Sequence, residues 1–351
     1  MSDGDEPLFG EDSEHQHDQT CSMCESLKKI TSDIQECLNR TDVSLAEDTL
    51  DDFRFSTHQA VQNIEAWKAH QLRSARQDAA RTDVLELLDE SSVMMTMDWA
   101  MKFLPQKYRE SQTDWFAKRG ISWHIAVTVR KSNGNLQSQS FVHILDNCTQ
   151  DSALVIRIII HVLEILKREH PEISRAFLRS DNAGCYHSSV TLSACRFMEE
   201  RTGIAVARVV FSDPQGGKGP CDRKAATVKA HVRRWINEGH DIQTARDFYQ
   251  AMNSLGGVKG VRVVHEDAAE LKEQQVKWEG VSFLNNFEYT GQSIKVWRAY
   301  NIGHGKTVGA QLPSLGKQSV QACSVVSRRG SGGGASYDVQ IMAIPRKKGL
   351  N

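Results

Sequence analysis

Three aspartates occupy positions where a carboxylate is unusual for structural reasons alone. Asp98 interrupts an apolar run, Asp181 follows a second apolar run, and Asp222 opens a basic segment with helical spacing. A buried carboxylate without a partner is costly, whereas carboxylate oxygens are the ligands that hard divalent cations prefer. These residue types at these positions predict a site for Mg²⁺ or Mn²⁺ that acts on phosphate.

The elements that must position these acids follow from the periodicity of apolar residues. Helices alternate with the later strands, which predicts an antiparallel half joined to a parallel half, with helices on both faces. The first and fourth strands should then be neighbours, so the three acids converge. The predicted strands are Val93–Met101, Trp123–Val129, Ser140–Leu145, Ala176–Ser180 and Val206–Phe211, and the predicted helices are 151–171, Ser189–Arg201 and Asp222–Glu238.

Three converging acids repel one another unless cations neutralise them. Two ions about 3.5–4 Å apart are the usual arrangement for in-line displacement at phosphorus. Asp213, at the end of the preceding strand, is the alternative third acid, and Asp222 could instead only cap its helix.

The helix that opens at Asp222 also carries positive charge. Lys229 and Arg233 lie seven and eleven residues further on, which places them on nearly the same face as Asp222. This geometry favours Asp222 over Asp213 as the third acid. Lys229 and Arg233, together with Arg223 and Lys218 of the preceding glycine-rich loop, are predicted to contact a nucleic-acid backbone.

Several sequence blocks resemble a known superfamily. PQGGKGPCD (Pro214–Asp222) resembles the segment before the last acid of retroviral integrases, and SDNAGCYH (Ser180–His187) is similar to the second-acid motif of eukaryotic transposases. With DWAMKFLP and KRGISWH, the chain resembles transposon-derived animal proteins of the DDE/DDD transposase and integrase superfamily. Two departures are an aspartate as third acid, where glutamate is commoner, and a PQ-to-acid spacing one residue longer than in integrases.

The resemblance covers about residues 92–238, and more loosely 278–306. It implies an α/β, ribonuclease H-like fold with a mixed five-stranded sheet flanked by helices. It also implies that Asp98, Asp181 and Asp222 are catalytic ligands of two Mg²⁺ or Mn²⁺ ions.

Four other segments are predicted around this catalytic domain, which spans residues 91–240. They are an acidic disordered tail (1–20), a helical arm (21–90), an α+β extension (241–310) and a disordered Gly/Ser-rich basic tail (311–351). The arm has one apolar stripe that could pack on the main domain or on a second copy, so a homo-oligomer is one expectation. Cys21 and Cys24 on the arm could bind Zn²⁺ as a whole or half site.

Composition and charge limit which cellular compartment and which binding partners are expected. The chain has 351 residues, a net charge of −1 and eight cysteines without a disulfide-like spacing. Charged residues interrupt the longest apolar run, so neither a signal peptide nor a membrane span is expected. The near-neutral total hides a basic segment at Arg223–Arg234, which favours a local DNA contact. A nuclear protein is the resulting expectation.

The predicted function is a metal-dependent polynucleotidyl transferase or nuclease acting on DNA phosphodiesters, either a transposase or a protein derived from one. Three alternatives stay open. The chain could be a catalytically silent descendant that binds nucleic acid or protein partners, a nuclease acting on RNA or single strands, or a zinc-linked interaction scaffold built on the arm.

Overall fold

The computed structural model describes residues 22–40, 46–116, 118–146, 148–212, 219–267, 278–291, 293–308, 326–329 and 337–340. The N-terminal part is helical, and it leads into a large mixed sheet with helices on both faces. This arrangement confirms the predicted mixed α/β class and the helical arm. The acidic tail, Cys21, Asp213 and Lys218 lie outside the described residues.

Seven α-helices and eleven strands lie within those ranges. The helices are α1 (Ser22–Leu38), α2 (Glu47–Leu87), α3 (Ser152–Glu169), α4 (Ser189–Cys195), α5 (Met198–Thr202), α6 (Pro220–Asn237) and α7 (Ala245–Asn253). The strands are β1 (Ser92–Trp99), β2 (Ser122–Ser132), β3 (Asn135–Asp146), β4 (Arg175–Ser180), β5 (Ala205–Phe211), β6 (Val261–Asp267), β7 (Asn286–Thr290), β8 (Ser293–Trp297), β9 (Lys306–Val308), β10 (Val326–Arg329) and β11 (Tyr337–Gln340).

The main sheet contains the predicted strand arrangement and extends beyond it. β1, β2 and β3 form an antiparallel meander, and β4 pairs in parallel with both β1 and β5. The prediction of five strands is wrong, because the described sheet has nine, in the order β6-β3-β2-β1-β4-β5-β7-β8-β9. The extra strands come from the predicted α+β extension. β6 pairs with β3 and β7 pairs with β5, which covers two strands whose outer backbone groups would otherwise form unpaired edges, and β8 and β9 continue the sheet beyond β7.

One face of the sheet is covered by α3, α4 and α5. Asp151 caps α3, as predicted, by accepting a hydrogen bond from the Leu154 N–H at 2.8 Å. The helix predicted over Ser189–Arg201 is wrong as a single element. Phe197 leaves the helical dihedral angles (φ −107°, ψ 6°), and its N–H donates to the Ala194 carbonyl three residues back. The chain therefore forms α4 and α5 instead.

The opposite face is covered by α6, α7 and the C-terminal end of α2. Val228 and Val232 of α6 pack against the β2 residues Ile125 and Val127 in one buried cluster. Val84 of α2 joins a smaller cluster with residues of β1 and β4. Helices on both faces bury the central strands on both sides, which accounts for their nearly continuous apolar sequences.

Gln77 anchors α2 to the sheet through hydrogen bonds. Its side chain is 1% exposed and its amide nitrogen donates to the Phe211 carbonyl, while its amide oxygen accepts from Asn286 Nδ2 at 2.7 Å and from the Tyr300 N–H at 3.2 Å. The Arg179 guanidinium donates to the Gln77 carbonyl at 2.7 Å. One glutamine thereby connects α2 to β4, β5, β7 and the turn after β8.

Outside the main sheet, β10 and β11 pair with each other in an antiparallel ladder. Both strands fall in the segment predicted as a disordered tail. The other residues of that tail, 311–325, 330–336 and 341–351, lie outside the described ranges.

Replacement of Gln77 by leucine should destabilise the protein. Leucine has a similar volume but leaves the Asn286 amide and the Tyr300 N–H without their buried acceptor, at about 1–3 kcal/mol for each unsatisfied group. Urea unfolding should show a lower free energy of unfolding for Gln77→Leu. The exposed Gln71→Leu on the same helix is the control. Equal stability of the two variants would mean that Gln77 does not anchor α2.

Candidate active site

Asp98 and Asp181 lie side by side at the ends of two neighbouring strands. β1 and β4 run parallel with Met97 opposite Ser180, and each acid is the next residue of its chain. Neighbouring strands are about 4.8 Å apart, so the two backbones are as close as a sheet allows. Asp98 is paired with Ile125 of β2, whose side chain packs on the α6 side, and Asp98 therefore faces α6.

α6 brings the third acid to the same place. The Cys221 Sγ lies 3.3 Å from the Thr96 carbonyl oxygen and 3.7 Å from that of Ile125, which holds the first turn of α6 over β1 and β2. Asp222 is the next residue, and its side chain is exposed. Its Oδ2 accepts a hydrogen bond from the Gly219 N–H at 3.1 Å, so it also stabilises the helix start.

The three carboxylates act on one another electrostatically. Burial raises the pKa of Asp98 to about 7, and the negative charges of Asp181 and then Asp222 add to the rise. Burial also raises the pKa of Asp181, against a hydrogen bond from the Ala183 N–H at 3.2 Å. Mutual repulsion of this kind favours either protonation or a bound cation.

The residues around the acids are neutral. Burial, followed by the charges of Asp98 and Asp222, raises the pKa of the Cys221 thiol far above its usual range. Burial likewise raises the pKa of the Tyr186 hydroxyl, with contributions from Cys185, Asp98 and Asp181. A neutral thiol and a neutral phenol do not offset the negative charge, so the donor set suits hard divalent cations.

The separation of the acids limits how ions could bind. Among the described residues, the one group of three or more potential ligands within 4.8 Å is formed by His143, His161 and Glu266, so at least one pair of the three aspartates is further apart than this. A single ion with ligands at about 2.1 Å spans at most about 4.2 Å. Two ions about 4 Å apart would link oxygens up to about 8 Å apart. The present side-chain positions therefore do not fit one ion held by all three aspartates.

Three of the four predicted cationic residues lie in the described part of the chain, and Lys218 lies outside it. Lys229 and Arg233 are exposed on α6, on the flank next to its buried stripe of Val228, Val232 and Ile236. Arg223 is also exposed, and its charge lowers the pKa of the neighbouring Cys221 thiol. Phosphate contacts by these residues stay a prediction.

Two residues beside Asp181 have structural environments. Cys185 is half-buried, and burial raises the pKa of its thiol to about 11. His187 is buried with its ring centroid 4.3 Å from that of Phe211, and burial lowers its pKa. At the other predicted metal site, Cys24 on α1 has a half-buried free thiol.

His143, His161 and Glu266 form a second group of potential ligands that the sequence did not single out. Each histidine is a lone polar residue in an apolar stretch, as in FVHIL and IIIHVL, and Glu266 lies between two other polar residues, His265 and Asp267. Such residues usually read as satisfied core polar groups, and only their convergence from three separate elements reveals the cluster.

Strand order, strand direction and helices on both faces define the fold. The central strands have the order β3-β2-β1-β4-β5 and the mixed directions expected of a ribonuclease H-like fold, with acids at the ends of β1 and β4. The chain belongs to the DUF8701 family, a domain of unknown function whose family model matches residues 77–283. That match begins at the anchoring residue of α2 and includes all three acids.

Solved structures similar to the chain include complexes of the Mos1 mariner transposase. A paired-end complex with the left transposon end has 15% identity and a TM-score of 0.29, covering 71% of this chain and 86% of that one. A paired-end complex with Mn has 13% identity and a TM-score of 0.27, covering 63% and 74%. Comparison with curated proteins gives no match.

In the described part of the chain, no helix combines the length and the apolar character that crossing a bilayer requires.

Stability of the metal-free protein should fall between about pH 4 and pH 7 because of Asp98. Its folded-state pKa of about 7 lies above the usual 3.8, so the folded state binds more protons in this window and is progressively destabilised as pH rises. Asp98→Asn should remove this pH dependence of the free energy of unfolding. Urea unfolding in the presence of a chelator, repeated between about pH 4 and pH 7, would measure it. The exposed Asp33→Asn on α1 should keep it. A slope shared by wild type and Asp98→Asn would contradict the acid cluster.

Proposed function

We propose that the chain is a metal-dependent nuclease or polynucleotidyl transferase acting on DNA phosphodiesters, derived from a transposase. The observation that carries the proposal is the acid group at the ends of β1 and β4, in which burial and then the charges of Asp181 and Asp222 raise the pKa of Asp98. Carboxylates that repel one another in a folded protein are characteristic of sites that bind cations or move protons.

Each acid has a distinct position in the proposed site. Asp98 interacts with both other acids and would contact both ions, while Asp181 and Asp222 would each hold one. When bound, two Mg²⁺ or Mn²⁺ ions would activate the attacking water or 3′-hydroxyl and stabilise the leaving oxygen. Asp98 lies on a rigid central strand, which suits the bridging position because its location varies least.

The substrate would lie along α6. Lys229 and Arg233 project from the face that begins at Asp222, at successive turns, so a phosphate backbone that passes the acids would meet both cations. Each contact of this kind neutralises a phosphate and releases a counterion. The same helix would then bind the backbone and supply one ligand.

One observation favours a second candidate, a catalytically silent descendant that binds DNA or partners. Asp222 already has a structural role, since its carboxylate accepts the Gly219 N–H at the start of α6. An aspartate retained for that role alone would need no metal. The nuclease experiment below separates the two candidates.

Purified full-length chain should nick supercoiled plasmid in Mn²⁺. Asp98→Asn, Asp181→Asn and Asp222→Asn should each lower the rate by more than about 100-fold, because loss of even an outer-shell partner costs about 10–100-fold at metal sites. Asp33→Asn, remote on α1, is the matched control. DNA, RNA and hybrid duplexes in parallel would show which polymer is cleaved.

Two results would count against this function. DNA binding without nicking in wild type would support the silent descendant. Nicking that survives Asp98→Asn would show that another site, or a contaminant, is responsible.

Lys229→Ala and Arg233→Ala should weaken DNA binding uniformly across sequences. Each should lower the slope of log affinity against log salt by about 0.9, the value for one phosphate contact on duplex DNA. Fluorescence anisotropy over a salt series measures both quantities. Lys259→Ala is the control, since this exposed lysine precedes β6 at the other end of the sheet. Equal slopes for Lys259→Ala and Lys229→Ala would exclude α6 as the contact.

A further inference from the structure

A second ligand cluster lies on the opposite face of the sheet from the acids. One side-chain ligand atom from each of His143, His161 and Glu266 lies within 4.8 Å of the others. All three residues are buried, with exposures of 0%, 4% and 2%. Two imidazoles and a carboxylate buried together are rare without a shared partner, because charged and polar groups are costly to desolvate.

Three elements far apart in the chain build this cluster. Strands β3 and β6 are parallel neighbours, with His143 opposite Val264 and Leu145 opposite Glu266. Residues two apart on a strand share a face, so His143 and Glu266 point to the same side. That side is covered by α3, which supplies His161 and, one turn earlier, the buried Arg157.

The hydrogen bonds of the cluster are incomplete. His143 Nε2 and His161 Nδ1 are 2.8 Å apart and share one proton between them. Both carboxylate oxygens of Glu266 and the Nδ1 of His143 are buried without a hydrogen-bond partner. Leaving a buried polar group unpaired costs about 1–3 kcal/mol, and more when the group is charged. The Glu266 oxygens are therefore available to a ligand at the centre of the cluster, whereas the two facing histidine nitrogens at present bind each other.

We propose that His143, His161 and Glu266 bind one divalent transition-metal ion, for which Zn²⁺ is the best chemical match. Two imidazole nitrogens and a carboxylate oxygen form a three-ligand set that Zn²⁺ accepts, with a fourth position left for water. Mg²⁺ and Ca²⁺ prefer all-oxygen ligands, so this cluster selects a different ion from the acid site.

The two histidines are suited to ligation. Burial lowers the pKa of His161 to about 4, and it lowers that of His143 well below its usual range, so both imidazoles are neutral with a lone pair to donate. In a tetrahedral zinc site with Zn–N near 2.05 Å, the two nitrogens would be about 3.3 Å apart. Their present separation of 2.8 Å would have to widen by about half an ångström, which small ring rotations permit.

Nearby positive charges oppose the ion and must be overcome. Burial raises the pKa of Glu266 to about 8, against the charge of Arg157, so a bound ion would have to displace a proton from this carboxyl. The charges of Arg168 and Arg262 act on His161. With the ion bound, Glu266 would be the one anionic donor in the set, so its loss should weaken binding more than the loss of a neutral ligand. A bound ion would fix α3 to β3 and to β6, the outermost strand on that side of the described sheet.

Metal analysis of the purified full-length chain tests the proposal. Wild type should hold one zinc per chain by mass spectrometry. Glu266→Gln and His161→Gln should each weaken zinc binding by more than about 100-fold in chelator competition, beyond the 10–100-fold cost of an outer-shell loss. His124→Gln should retain zinc, since His124 is an equally buried histidine on the same face but outside the cluster.

Two double variants separate this site from the others in the chain. Asp98→Asn with Asp181→Asn disables the acid site, and Cys21→Ser with Cys24→Ser removes the N-terminal thiols. Both should retain zinc. Zinc lost with the cysteine pair, zinc unaffected by Glu266→Gln and His161→Gln, or a wild-type content at background level would each overturn the proposal.

A spectroscopic measurement on the wild-type chain tests the proposal even if the variants fail to fold. X-ray absorption of the zinc-loaded chain should show nitrogen and oxygen donors at about 2.0–2.1 Å, with imidazole scattering and no sulfur. A sulfur shell near 2.3 Å, or an all-oxygen shell, would exclude this cluster.

Discussion

The parallel pairing of β1 with β4 is the constraint on which the candidate active site depends. These strands are separated by two other strands and a helix in the chain, yet their register places Met97 opposite Ser180. A slip of one residue would turn one of the two acids to the opposite face of the sheet. The antiparallel meander on one side and β5 on the other hold this register, so the site depends on the whole central sheet.

Burial changes how the aspartates at the ends of these paired strands ionise. In water, two neighbouring aspartates would both ionise, whereas here burial is the largest cause of the raised pKa of Asp98. α6 contributes in two ways, because it covers the sheet around Asp98 and brings Asp222 close to it. The contacts of Cys221 with the carbonyls of β1 and β2 hold the first turn of α6 against the sheet. Packing and charge therefore cannot be altered separately at this end of the sheet.

The sequence predicts the central elements well because their signals are local. Apolar runs, the Asp151 cap and the Gly203 C-cap each mark an element boundary without reference to the rest of the chain. The neighbouring positions of β1 and β4 also follow from strand order. The number of strands in the sheet does not follow from strand order. β6 pairs with β3 and β7 pairs with β5, and nothing in the sequence of these segments indicates which strand each one pairs with.

Of the two ligand clusters, the sequence likewise predicts the one with local signals and misses the one that depends on pairing between distant segments. The aspartates stand out because acids are unusual at strand ends, and their convergence follows from topology. His143 and Glu266 meet only through the β3–β6 register, and His161 only through the rotation of α3 about its axis. Neither quantity is encoded in the periodicity of one segment. A lone histidine in an apolar run therefore looks the same whether it is a ligand or a core residue.

The anchoring of α2 has a mechanical consequence. At 1.5 Å per residue its 41 residues form a rod about 60 Å long, and its contacts with the sheet at Gln77 and Val84 lie in its C-terminal third. Leu50, near the N-terminal end of α2, lies about 40 Å from Gln77. A tilt of about 5° at Gln77 would move Leu50 by roughly 3.5 Å, which is about the rise of one DNA base pair. A small change of angle where α2 meets the sheet would therefore be amplified at its N-terminal end.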